Sequence, residues 1–335
     1  MIATYLRSSA ISTVDSCSHR YFMSYILGEN EETNKKAEMG SVVHKILEIL
    51  SHRCDFKDET GSYKYPFNVE KLCEQVFKYY ESKRTDWEKY DITTIKDWVN
   101  TALTLDDGAY DPRTLDVLEA EKHFDITIEH DWAHYEFNTP QGPLKGQLSI
   151  KGTMDLVLNG DGCIELLDWK TGQRKNWATG KIKEYEDLRK DSQLLLYYYV
   201  ARKIYNKPIL VTIVYINHGG AYTIAFDDDD FEHAENMLRE KFEYIKTTKP
   251  TPIYPAQFCR FCTFSKTYYP EPIVNGGKPL NKCLHIHQEL VQIGQYNTVK
   301  KYMLNDGKHL TKYGEGGGVS TEAREKKNES NKSKS

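Results

Sequence analysis

The sequence predicts an α/β fold in which a mixed central sheet is flanked by helices. Three observations predict it. Strand-like alternation at 116–129, 147–158, 163–169, 209–216 and 221–226 is embedded between stretches of helical periodicity. Some of these strands are joined by tight turns and others are separated by helices, which indicates a mixed sheet. Hydrophobic residues make up 39% and charged residues 28% of the 335 positions, enough to bury a real core.

The elements follow in order. Ser12 to Leu27 reads as a helix, capped by Ser12 or Thr13, with Tyr21, Phe22, Tyr25 and Ile26 at helical spacing and Gly28 at its end. A second helix runs from about Gly40 to Arg53, with Val43, Ile46, Leu47 and Leu50 on one side. Residues 68–105 are aromatic and charged with helical periodicity, the body of a helical insertion at about 55–112. Strands then occupy 116–129, 147–158 and 163–169. Between the last two, Asn159-Gly160-Asp161-Gly162 tolerates the positive φ of a hairpin turn. A helix from Tyr185 to Tyr205 carries Leu194, Leu195, Leu196 and Val200, and strands 209–216 and 221–226 are joined at His218-Gly219-Gly220. Asp227 to Asp230 reads as the acidic start of a helix ending near Lys246, favoured by the macrodipole, rather than as a metal site. Pro and Cys dominate from Lys249, giving an irregular stretch up to about Cys283 within a Cys-containing segment at about 250–290. A C-terminal extension covers 291–312, and the Gly-, Lys-, Glu- and Ser-rich tail 313–335 is expected to be disordered. One domain is expected over 1–290.

Composition bounds the function. The net charge of −4 does not advertise a nucleic-acid partner, but carboxylates that hold metal ions offset basic residues that hold phosphates. From Lys170 to Lys190 seven Lys or Arg face three Asp or Glu, which fits a solvated face as well as a phosphate contact. No apolar run reaches 18 residues and the N-terminus lacks a signal-peptide stretch, so an intracellular protein with no membrane partner is expected. Seven scattered cysteines argue against a disulfide framework. Cys54, Cys73 and Cys163 read as ordinary thiols, whereas the C-x-x-C at Cys259 and Cys262 points to a metal.

The segment that carries chemistry is Gly152-Thr153-Met154-Asp155, a hairpin turn, then Glu165-Leu166-Leu167-Asp168-Trp169-Lys170. Side chains alternate faces with period two, so Asp168 and Lys170 share a face and Asp155 can converge on it from the neighbouring strand. Such hard oxygen ligands suit Mg²⁺ or Mn²⁺, which acidify a water and stabilise charge on a phosphate. Lys170 can orient that water or stabilise the developing charge, and phosphodiester hydrolysis needs this combination. Glu165 reads as an exposed strand residue. Met39-Gly40-Ser41-Val42-Val43-His44 places a histidine near a helix start, and Gln193 with Tyr197 sets an amide and a phenol at i and i+4 on one helical face.

Taken together, these residues resemble the PD-(D/E)XK nuclease superfamily, in particular its RecB-like branch, which includes CRISPR-associated iron–sulfur exonucleases and AddB-type nuclease domains. The resemblance covers roughly residues 8–290, with its motifs in family order: Gly40 and His44, Asp155, Asp168 and Lys170, then Gln193 and Tyr197. It implies a restriction-endonuclease-like core. It also implies that His44, Asp155, Asp168 and the backbone carbonyl of Trp169 hold the metal, that Asp155, Asp168 and Lys170 are catalytic, and that Gln193 and Tyr197 support the site or the DNA. Glu121, in LEAEKHF, matches an acidic strand position of the family. Members with an iron–sulfur cluster use one N-terminal and three C-terminal cysteines, which Cys17, Cys259, Cys262 and Cys283 resemble. The twenty residues between Cys262 and Cys283 depart from the usual shorter gap, and His285 and His287 stand nearby. A 4Fe–4S cluster, a Zn²⁺ site using one histidine, and no metal at all therefore stay open.

The expected function is a Mg²⁺- or Mn²⁺-dependent deoxyribonuclease, an exonuclease rather than an endonuclease. The expected setting is DNA recombination, repair or phage DNA metabolism, with single-stranded DNA or duplex ends as substrate and a helicase or recombinase as partner. A catalytically inactive nuclease-fold DNA-binding or scaffold subunit, and a zinc-binding interaction protein, are the alternatives. The first of these normally loses a site residue, and the second leaves Asp155 and Lys170 without a purpose.

Overall fold

The computed structural model describes residues 1–31, 33–52, 68–175, 180–217, 219–267, 274–275 and 278–311. Its strands include β1 (Tyr5–Leu6), β2 (Val117–Thr127), β3 (His134–Thr139), β4 (Gly142–Gln147), β5 (Ser149–Asn159), β6 (Ile164–Lys170), β7 (Ile209–Tyr215) and β8 (Gly220–Ala225). Its helices include α1 (Ser8–Ser16), α2 (Ser18–Tyr21), α3 (Lys35–Ser51), α4 (Val69–Glu81) and α5 (Lys89–Thr104). The later ones are α6 (Tyr185–Arg189), α7 (Ser192–Tyr205), α8 (Asp228–Thr247), α9 (Thr263–Lys266) and α10 (Lys282–Tyr302). The chain divides into two compact units: Met1–Glu32, Asp125–Gly152 and Asn236–Ser335 in the first, Thr33–Phe124 and Thr153–Glu235 in the second.

The second unit is built on a mixed sheet. β5 pairs antiparallel with β6, β6 parallel with β7, and β7 antiparallel with β8. The parallel pair needs a long crossover, which α6 and α7 supply. β6 and β7 are almost continuously apolar because both their faces are covered. On one face Leu156, Leu158, Leu167, Trp169 and Val214 pack with Val43, Ile46, Leu47 and Leu50 of α3 and with apolar residues of α4 and α5. Since Leu167 and Trp169 serve that core, Asp168 and Lys170 turn the other way, towards α7.

In the first unit β1 pairs in parallel with the start of β5, and β3 and β4 form a separate hairpin. That hairpin is not anticipated in the sequence reading, because HYEFNTPQGPLKGQ carries little apolar alternation. No helix among the described residues is long and apolar enough to cross a membrane.

Several predicted elements are cut differently. The helix expected over 12–27 starts at Ser8 and breaks at Cys17, whose extended backbone (φ −165°, ψ 113°) lets its Sγ accept the Arg20 N–H and cap α2. The helix expected from Gly40 starts at Lys35, because the Asn34 side chain caps it through the Ala37 N–H (2.9 Å). His44 therefore lies inside the helix, not at its start. The helix expected over 185–205 is interrupted before Asp191, which caps α7. Asp227 and Asp230 accept each other's backbone N–H at 3.0 Å, the expected cap at the start of α8. The irregular segment ends where expected, close to Cys283: α10 starts at Lys282 and bends at Gly294 (φ +79°). Cys54, His218 and the expected disordered tail from 313 lie outside the described residues.

Candidate active site

The β5–β6 ladder runs from Asn159↔Ile164 to Leu156↔Leu167, and one step further along that register sets Asp155 opposite Asp168. There the strands part. Instead of a ladder bond, the Trp169 N–H donates to Asp155 Oδ2 at 2.8 Å. The same oxygen lies 3.3 Å from His44 Nδ1 on α3. Gly40, one helical turn before His44, sets how deeply that helix can approach, because a Cβ there would meet Thr171 Oγ1 at 2.7 Å.

Asp168 has different partners. Its Oδ2 lies 2.6 Å from Lys170 Nζ, and its Oδ1 accepts from Gln193 Nε2 at 3.0 Å. Gln193 Nε2 also donates to the Tyr197 hydroxyl (3.0 Å), which donates in turn to the Thr153 carbonyl (2.8 Å). Gln193 and Tyr197 thus tie α7 to both strands of the hairpin. Glu165 stands apart, half-buried and bonded to Thr212.

Glu121 enters from β2. Its φ of +47° is left-handed backbone, uncommon for a residue with a side chain and a feature that clusters at functional sites. The kink breaks the strand's alternation, so no sequence periodicity assigns Glu121 to this face. Glu121, His44 and Asp155 each offer a ligand atom, all within 4.8 Å of one another. The ligand set implied by the resemblance is thus regrouped: His44 and Asp155 are joined by Glu121, while Asp168 is engaged by Lys170 and Gln193. Trp169 gives the site its N–H, and its indole lies in the core.

Charge is tightly matched here. Burial pushes the Asp168 carboxyl up to about 6, with Lys170 opposing and Asp155 adding to the rise. Burial, Asp155 and Glu48 raise Glu121 to about 7. Burial would also raise Asp155, but His44, Lys170 and the Trp169 N–H outweigh it and hold that carboxyl below its usual value. Burial opposes charge on His44 and on Lys170, yet the neighbouring carboxylates prevail and both titrate higher than usual. The pocket thus sets two reluctant carboxylates and one firm one beside two cations. Its oxygen and nitrogen donors fit a hard divalent ion.

The first unit contains a second constellation. Cys17, Cys259, Cys262 and Cys283 line one cavity together with Arg20, Met23 and Phe264. Cys17 Sγ accepts the Arg20 N–H (3.5 Å) and Cys259 Sγ the Ala256 N–H (3.4 Å). Burial and the three other thiols push Cys283 up to about 12. Neither His285 nor His287 is among the residues lining it. His285 bonds the Tyr302 hydroxyl (3.1 Å), and His287 packs edge-on against His19 (5.5 Å between ring centres).

Residues 8–267 match the family model of the PD-(D/E)XK nuclease superfamily. No curated protein matches. Among solved structures, a candidate exonuclease of Eubacterium rectale is 14% identical, with 81% of this chain and 91% of that chain covered and a TM-score of 0.38. Another, whose name states no activity, is 12% identical over 69% of this chain and 93% of that one, with a TM-score of 0.28. Likenesses this loose carry no argument about activity.

Proposed function

The chain belongs to the PD-(D/E)XK nuclease superfamily, and on that premise we propose that it is a divalent-metal-dependent DNA nuclease working through His44, Glu121, Asp155, Asp168 and Lys170. The observation that carries this reading is the grouping of three ligand atoms within 4.8 Å beside a lysine held by its own carboxylate.

His44, Glu121 and Asp155 would hold Mg²⁺ or Mn²⁺, with Asp168 and the Trp169 carbonyl completing the set. Such an ion supplies an acidified water and positive charge against the phosphate oxygens. Lys170 remains an ammonium and stabilises negative charge as it builds on the phosphoryl group. Asp168 aims that ammonium, Gln193 fixes Asp168, and Tyr197 fixes Gln193. His44 is tilted towards Asp155 and helps keep that carboxyl ionised.

Labelled single-stranded and duplex DNA incubated with Mg²⁺, Mn²⁺ or chelator tests the proposal. Cleavage that persists in chelator, or in the Lys170→Ala variant, would remove it. An exonucleolytic preference, a role in recombination, repair or phage DNA metabolism, and a helicase or recombinase partner rest on likeness to the RecB-like branch.

We propose further that Cys17, Cys259, Cys262 and Cys283 would hold a 4Fe–4S cluster at the cysteine cavity. Four thiols lining one cavity support a four-thiolate site, and the cluster would join distant parts of the first unit.

A further inference from the structure

The face of the sheet that carries Asp168 and Lys170 continues across β7 and β8. Side chains at paired positions share a face, so the register sets Lys170, Tyr215 and Gly220 in one row across three strands. Asp168, Ile213 and Tyr222 form the row beside it. Neighbouring strands lie about 4.8 Å apart, which puts the Tyr215 backbone one such step from that of Lys170. Gly220 ends the row without a side chain, and a Cβ there would meet none of the described residues within 4 Å. Arg174 lies over the Tyr222 ring, 4.4 Å from its centre, and brings positive charge to the second row.

Tyr215 is 5% exposed, and its hydroxyl has no hydrogen-bond partner among the described residues. The tyrosines of α7 differ: Tyr197 donates to the Thr153 carbonyl (2.8 Å) and Tyr198 to the Asp227 carbonyl (2.5 Å). Burying a hydroxyl without a partner costs stability, and phenylalanine would fill the same space without that cost. The oxygen of Tyr215 therefore serves something other than the fold. Burial, then the charges of Asp191 and Asp168, raise its pKa, so the phenol stays a hydrogen-bond donor. The Asp191 carboxylate is itself matched by Lys183 Nζ at 2.6 Å. We propose that the Tyr215 hydroxyl donates to an oxygen of the phosphate flanking the bond being cut, in a DNA strand running from Asp155 across β6 and β7 towards Gly220. This rests on the nuclease reading above. Lys170 serves the phosphoryl group under attack, and Tyr215, one strand further from Asp155, meets the next phosphate. The gap left by Gly220 is the way in. Such a contact positions the strand without reading its sequence.

Tyr215→Phe removes one oxygen and tests the contact. Its melting temperature is expected to match or exceed that of the wild type, since no bond of the fold is lost. With Mg²⁺ or Mn²⁺, kcat/KM on a single-stranded oligonucleotide should fall roughly 10–100-fold, mostly through KM. Tyr198→Phe should do the reverse, melting lower while cutting as before. A methylphosphonate in place of the flanking phosphate should cost the wild type more than it costs Tyr215→Phe. A Tyr215→Phe chain with wild-type kcat and KM overturns the contact and leaves the nuclease reading standing. A clearly lower melting temperature assigns the hydroxyl to the fold and also overturns it. A wild type that cuts no DNA with either metal overturns the nuclease reading instead. Fluorescence anisotropy of the oligonucleotide then judges Tyr215, and an equal Kd for wild type and variant overturns the contact too.

Discussion

At the scale of single residues, Lys170 and Glu121 are set by opposite means. Lys170 is held by Asp168 in a register that any strand of this sequence adopts, whereas Glu121 is swung inwards by one left-handed residue. Lys170→Ala should lower the cleavage rate by a factor on the order of 100–10,000 while the melting temperature hardly moves, a pairing checked by kinetics beside calorimetry. Glu121 makes a pH prediction. Its carboxyl is raised from 4.5 to about 7 in the folded protein. The folded state therefore keeps a proton that the unfolded chain has lost. That contribution is complete below the unfolded value and disappears as pH rises through about 7. In chelator, the wild type should lose stability across this window and Glu121→Gln should lose less. With Mg²⁺ added, the wild type should bind metal more tightly as pH rises, releasing protons that titration calorimetry in different buffers counts. Parallel melting curves for wild type and Glu121→Gln at every pH would discard the assignment. Asp155, Asp168 and Lys170 were legible in the sequence because alternation and a hairpin turn fix their faces. Glu121 was reached only through the family resemblance, because a single backbone kink leaves no periodic trace.

At the scale of elements, the close approach of α3 to the loop after β6 is the sensitive contact. Gly40→Ala should cost roughly 1–3 kcal/mol and weaken metal binding, since the helix carrying His44 must back away from Thr171. Thr171→Ala in the same chain should recover most of the loss, and a double-mutant cycle measures the coupling. Additive effects would show that the contact is not shared. The alternating and apolar strands β5 to β8 were readable because burial on one or both faces writes itself into the pattern. Helix boundaries were less so. They are set by Asn34, Asp191 and the Cys17 thiol, whose capping depends on local geometry rather than on periodicity. The β3–β4 hairpin escaped for a related reason: its strands bury few side chains.

At the scale of the whole chain, the proposed metal-dependent nuclease site is confined to the second unit and the cysteine cavity to the first. Cys283→Ser should abolish iron binding and lower the temperature at which the first unit melts, read by metal analysis and calorimetry of anaerobically purified protein. Stoichiometric zinc in a colourless wild type would end the cluster assignment. Sequence spacing indicated which cysteines to group, but only the folded path of the chain shows that they line one cavity. That path has a consequence for biosynthesis. A ribosome adding 5–20 residues per second makes Cys17 roughly 15–50 s before Cys283. All of the second unit, by contrast, has been translated by Glu235. A nascent chain can therefore possess its cutting machinery while its earliest thiol still waits for company, open to oxidation or to a holdase that shields it. Products terminated between Glu235 and Cys283 would carry the whole second unit yet lack one of the four thiols of the proposed cluster site.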